Sequence, residues 1–258
     1  MRRRLILRPG AIGDTVVSLP ALEALRAEYT ELWAPSQNLP LLRHLGECRA
    51  LVSTGIDSLV IPEATLRRLS EFDEIVSWYG AGRDEFRRQV AALPFRFFPA
   101  LPAGECGIHA VDFYLRQVGG AEGAIPRLPV ARQDEGFAVI HPFSGSARKN
   151  WPLPRFREVA KHLPMPVFWC AGPEEALPDA VRFADLGELM QWLAGARAFL
   201  GNDSGIAHLA SACGVPVVAV FGPTDQRVWA PRGATVRIAE WDWPPGRVAN
   251  EVLSCCSL

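Results

Sequence analysis

A chain of 258 residues exceeds the usual size of one domain and suits two α/β domains of about 120 residues each. Its 49% hydrophobic content is enough for two cores, and a formal net charge of -1 gives no overall pull toward nucleic acid. No apolar run of about eighteen residues offers a membrane span, and Arg2-Arg3-Arg4 is followed by only Leu5-Ile6-Leu7, too short for a secretory segment. Any phosphate site must therefore be built locally. Six cysteines without a C-x-x-C pair and five scattered histidines fit a reduced, cytosolic protein and argue against a metal site. Cations are almost all arginine; lysine occurs only at Lys149 and Lys161, which singles out Lys149.

In chain order, Leu5-Ile6-Leu7 reads as a buried first strand and residues 8–14 as the loop at its carboxyl end, where α/β proteins place ligands. A helical pattern follows through Val16, Val17, Leu19, Leu22 and Leu25, with Pro20 implying a late start or a bend. Gly13 is expected to allow a tight turn. Asp14 falls at the helix N-terminus, as a cap or with a chemical role. Ile12 and Arg8 stand where a dinucleotide fingerprint needs glycine, which weakens a nicotinamide reading.

Further strands are expected at residues 31–34, 57–61 and 72–79, with amphipathic helices at 83–92 and 109–120. The run Phe95-Arg96-Phe97-Phe98-Pro99 reads mainly as strand and core, with a lesser reading as part of the binding surface for a large acceptor. A glycine- and proline-rich passage over residues 119–129 is the linker candidate. It divides the chain into domains of residues 1–125 and 126–258.

The second half restarts with a strand ending in His141-Pro142 and a loop, Phe143 to Pro152, that gathers small hydroxyls, a glycine, Arg148 and Lys149. This chemistry suits a diphosphate, and Ser144 and Lys149 are its candidate contacts; a solvated basic loop is the plain alternative. A strand over residues 167–171 leads to Glu174 and Glu175, placed to accept ribose hydroxyls or simply to start a helix. Residues 185–193 form an amphipathic helix. Then Phe199 to Phe221 reads as a βαβ unit with a polar turn, Asn202-Asp203-Ser204-Gly205, at the helix start. Free amides at Ser204 and Gly205 favour a phosphate there, with Asp203 accepting hydroxyls of an attached sugar; Asn202 and Asp203 as a helix cap is the competing explanation.

Three blocks together resemble a known family. They are Arg8 with Gly13-Asp14, Pro20, Leu22 and Leu25; His141-Pro142 through Lys149-Asn150-Trp151-Pro152; and Asn202 to Gly205 with His208-Leu209, Gly214-Val215-Pro216 and Phe221 to Asp225. The chain resembles the ADP-heptose:lipopolysaccharide heptosyltransferases, glycosyltransferase family 9. The resemblance implies a GT-B fold of two Rossmann-like domains with parallel sheets facing across a cleft, and inverting transfer from a nucleotide-diphosphate sugar without metal or other cofactor. It implies a lipid-linked or glycan acceptor at the inner face of the cytoplasmic membrane, touched peripherally, and no nucleic acid. By the same resemblance Asp14 is the base; Gly13 reads as a supporting residue, and His208, one helical turn past Asp203, as a structural or supporting residue and not a base. Ser144, Lys149, Glu174, Glu175, Asp203, Ser204 and Gly205 are the donor contacts. Phe143 departs from the glycine usual in the loop, and the first domain is short. A sugar-nucleotide-binding protein without transfer activity is the alternative from another class.

Overall fold

The computed structural model describes residues 1–102 and 107–256; Cys106, one of the cysteines weighed above, lies outside them. The described residues fall into two compact units, one of residues 1–102 and 110–122, the other of residues 107–109 and 123–256.

The first unit holds strands β1 (Arg3–Leu7), β2 (Tyr29–Ala34), β3 (Glu47–Ala50), β4 (Glu74–Ser77) and β5 (Phe95–Phe97). All pairings are parallel, in the order β3-β2-β1-β4-β5. Helices α1 (Ile12–Ala24), α2 (Leu51–Thr54), α3 (Glu63–Leu69), α4 (Asp84–Gln89) and α5 (Ala110–Val118) flank this sheet in the sequence. Central strands of a parallel sheet are covered on both faces, so β1 reads as an unbroken apolar run, Leu5-Ile6-Leu7, with no exposed surface. Leu5, Leu7, Trp33, Ile75 and Phe86 share one core. Phe86 meets Tyr79, Phe95 and Phe97 edge-on, with ring centroids 5.2–6.1 Å apart, which is how the aromatic run of β5 joins the core.

Three sequence expectations are corrected here. Residues 57–61 form no strand: Leu59 and Val60 are 83% and 75% exposed on a turn, and the third strand is β3, whose alternating pattern suits a half-covered edge beside β2. Helix α1 starts at Ile12 and runs through Pro20, so Gly13 and Asp14 belong to its first turn. The tight turn falls to Gly10, at φ +116°, where an added Cβ would lie 2.8 Å from the Asp14 Cβ and Oδ2 atoms.

The second unit repeats the plan with β6 (Ala138–His141), β7 (Val167–Trp169), β8 (Ala198–Asn202), β9 (Val217–Phe221) and β10 (Val236–Glu240). These pair in parallel in the order β10-β9-β8-β6-β7. Its helices are α6 (Leu153–Lys161), α7 (Leu186–Gly195), α8 (Gly205–Ala212), α9 (Gln226–Trp229) and α10 (Pro245–Cys255). Helices α6 and α10 pack together over one core of Ile140, Trp151, Phe156, Leu200, Val220 and Val252. Among the described residues, no helix is long and apolar enough to cross a membrane.

Candidate functional site

In the second unit, strands β6 and β8 are neighbours, with His141 in register with Gly201. The segments leaving their carboxyl ends, residues 142–152 and 203–205, therefore emerge side by side, as chain reversal of strand order produces in open α/β sheets. Gly201 permits the close approach: a Cβ there would lie 3.0 Å from the His141 carbonyl oxygen and 2.8 Å from the Phe199 ring.

The loop after β6 is stiffened from within. The Ser144 hydroxyl has two acceptors within reach for its one hydrogen, Asn150 Oδ1 at 2.7 Å and the Ser146 carbonyl at 2.8 Å, and Ala147–Lys149 forms a single 3₁₀ turn. The turn carries Lys149 toward the second segment, where its Nζ donates to Asp203 Oδ2 at 3.1 Å. Asp203 is buried, so this ion pair neutralises a carboxylate that would otherwise be costly to desolvate. Ser204, not Asn202 or Asp203, caps α8: its Oγ accepts from the Ala207 amide at 3.3 Å. The amides of Ser204, Gly205 and Ile206 precede any intrahelical acceptor, and the helix dipole favours negative charge beside them. A lysine and a helix N-terminus thus stand together.

Glu174 and Glu175, after β7, take different places. Glu174 is exposed, whereas Glu175 is half-buried. Glu175 Oε2 accepts from the Gly172 amide at 2.6 Å and lies 3.2 Å from His141 Nε2. Burial pushes the Glu175 carboxyl up, but the His141 and Gly172 hydrogen bonds, helped by the charges of His141 and Arg182, outweigh it and hold the carboxyl below its ordinary range. His208 is buried on α8, one turn beyond the cap.

Asn202 and His141 carry roles that sequence reading missed. Asn202 is fully buried and its Oδ1 accepts from the Trp151 amide at 2.8 Å. His141 is buried against Glu175. In each, one polar atom, Asn202 Nδ2 and His141 Nδ1, is buried without a hydrogen-bond partner. The signal was present in Asn202, an amide at the end of an apolar strand, but a helix cap explained it too readily.

In the first unit, Asp14 sits at the third position of α1, and its Oδ2 accepts from the Ala11 amide at 2.9 Å. This is capping geometry. The support beneath it is Arg8, another role not read from the sequence because guanidinium groups are expected outside. Arg8 is buried, donates through Nε to Ser18 Oγ at 2.8 Å and through Nη2 to the Asp14 carbonyl. Its guanidinium lies 4.7 Å from the Tyr114 ring centre and 5.8 Å from that of Trp78, where cation–π attraction offsets desolvation.

Comparison with known proteins places these features. Residues 183–246 match the family model "Glycosyltransferase family 9 (heptosyltransferase)". Lipopolysaccharide heptosyltransferase 3 of Escherichia coli is 41% identical over 59 residues, 23% of this chain and 16% of that protein. Lipopolysaccharide heptosyltransferase 1 of Pseudomonas aeruginosa is 27% identical across 86% of this chain and 79% of its own. Among solved structures, E. coli ADP-heptose lps heptosyltransferase II superposes with a TM-score of 0.79 at 17% identity, covering 100% of this chain and 99% of that one. E. coli heptosyltransferase WaaC with ADP gives 0.71 at 14%, covering 98% and 99%. The structural likeness shows the fold, two Rossmann-like units as in GT-B proteins. The sequence matches show what the chain is similar to: residues 183–246 resemble glycosyltransferase family 9, and the curated relatives it matches are lipopolysaccharide heptosyltransferases.

Proposed function

We propose that the chain is an inverting glycosyltransferase that moves a heptose from ADP-heptose to a hydroxyl of a lipopolysaccharide-core acceptor, without a metal ion. The observation that carries the reading is the Lys149–Asp203 pair, 3.1 Å long, at the N-terminus of α8. In one displacement the acceptor oxygen bonds to the anomeric carbon as the bond from that carbon to the diphosphate oxygen breaks. The acceptor proton passes to a carboxylate, assigned to Asp14. Negative charge gathers on the departing ADP, where Lys149 and the amides at Ser204 and Gly205 would stabilise it in place of a metal. Asp203 is suited to accept sugar hydroxyls and Glu175 to accept those of the ribose. Support comes from the named lipopolysaccharide heptosyltransferases among the relatives and from the ADP held by WaaC. Work at the inner face of the cytoplasmic membrane, with peripheral contact, belongs to the same proposal.

The second reading, a sugar-nucleotide-binding protein without transfer activity, is favoured by one observation: Asp14 already caps α1 through Ala11. Asp14→Asn separates the two, since an amide oxygen still caps but cannot act as a base at neutral pH. Loss of turnover by about 10²–10⁴, with ADP affinity unchanged by calorimetry, is expected. Unchanged turnover reduces Asp14 to a cap, and no turnover of ADP-heptose by the parent chain favours the binding protein.

A further inference from the structure

The donor loop is internally stiff, yet its backbone must be fixed to the sheet if Lys149 is to be held at the α8 N-terminus. The tie is Asn202. Its Oδ1 receives the Trp151 amide at 2.8 Å, two residues beyond Lys149, while the very next residue, Asp203, holds the Lys149 ammonium at 3.1 Å. One peptide unit therefore carries both the anchor of the loop and the partner of its lysine. The orientation of the carboxamide is fixed by chemistry: flipping it would set NH2 against N–H, donor against donor. The consequence is that Nδ2 stays buried without a partner at a position with no solvent exposure, an arrangement that an apolar residue would avoid.

We propose that Asn202 is a positioning residue of the donor site: it latches the Phe143–Pro152 loop so that Lys149 meets the donor's diphosphate, at the expense of an orphaned amide in the core. The proposal rests on the donor-site reading above. Its test pairs a ligand-free measurement with a binding one. In Asn202→Leu, of similar volume, hydrogen exchange should show the Trp151 amide opening about tenfold faster or more, while Asn202→Asp, which keeps an acceptor oxygen, should retain slow exchange.

With ADP as the probe, Asn202→Leu should weaken binding about tenfold, and the KM for ADP-heptose should rise in parallel while kcat changes less than about threefold. In a Lys149→Ala background the Asn202→Leu substitution should add almost nothing, because both remove the same contact. Unchanged exchange at Trp151 overturns the latch. Additive losses, or intact ADP affinity despite fast exchange, overturn its action through Lys149. Should Asn202→Leu fail to fold, Asn202→Ala carries the same test. Absence of ADP binding by the unaltered chain defeats the donor reading instead, leaving the exchange result to judge the latch.

Discussion

Replacing Lys149 and Asp203 separately should move ADP affinity in opposite directions. Asp203 has a side chain only 7% exposed, and Lys149 spans 3.1 Å to reach it from a position 27% exposed. Loss of one charge-assisted hydrogen bond to a phosphate in Lys149→Ala is worth about 1.5–3 kcal/mol, or about 10- to 150-fold in Kd. Two features of the structure adjust that range. Lys149 must loosen a partly buried ion pair worth about 1 kcal/mol before it turns to a phosphate, which lowers the loss. The Asp203 carboxylate left unpaired beside the diphosphate raises it again. In Asp203→Asn the lysine is released and a repelling charge removed, so ADP should bind about fivefold more tightly, the same 1 kcal/mol with the sign reversed. Transfer from ADP-heptose should nonetheless fall, because an acceptor of sugar hydroxyls is lost. Isothermal titration calorimetry with ADP reads both variants. Weaker ADP binding by Asp203→Asn, or none lost by Lys149→Ala, would refute the idea that these two residues compete for one diphosphate.

Two further outcomes are expected. Burial pushes the Glu74 carboxyl up, but hydrogen bonds from Arg96 and Arg4 and the charges of both pull it down to about 2 from an ordinary 4.5. At about 1.4 kcal/mol for each tenfold change in proton affinity this amounts to about 3.5 kcal/mol, reduced to about 2 because Arg96 is half exposed. That stability is fully present above pH 4.5 and lost as pH falls toward 2, so urea melts of the parent and Glu74→Gln should converge by about 2 kcal/mol over this window; a constant gap would dismiss the mechanism. Gly10→Ala forces a side chain to a positive φ and against Asp14. A stability loss of about 1–3 kcal/mol is expected, with turnover falling more than ADP affinity, and a neutral result in both assays would show the turn to be slack.

The glycines explain why one part of the first loop was misread. Gly13 and Gly10 look alike in sequence; only the left-handed backbone at Gly10, where any Cβ meets Asp14, marks it as the turning residue. Leu59 and Val60 failed for a related reason. Their β-branched and aliphatic character suits a strand, but tertiary pairing went to Glu47–Ala50, and local propensity does not record which segment finds a partner. Arg8 and Asn202 went unread because burial of polar groups depends on acceptors distant in the sequence.

What the sequence determined by itself was the pattern of short apolar strands, polar turns at their carboxyl ends and amphipathic helices, because side-chain periodicity and turn chemistry act over a few residues. It also carried the residue types of the proposed donor site, Lys149, Asp203 and Ser204. Tertiary structure decided which of those groups touch. Only the parallel pairing of β6 with β8 brings residues more than fifty positions apart within 3.1 Å, and ties the loop to Asn202. Hydrogen bonding between such groups requires a fixed distance and direction, and these exist only once the sheet has formed.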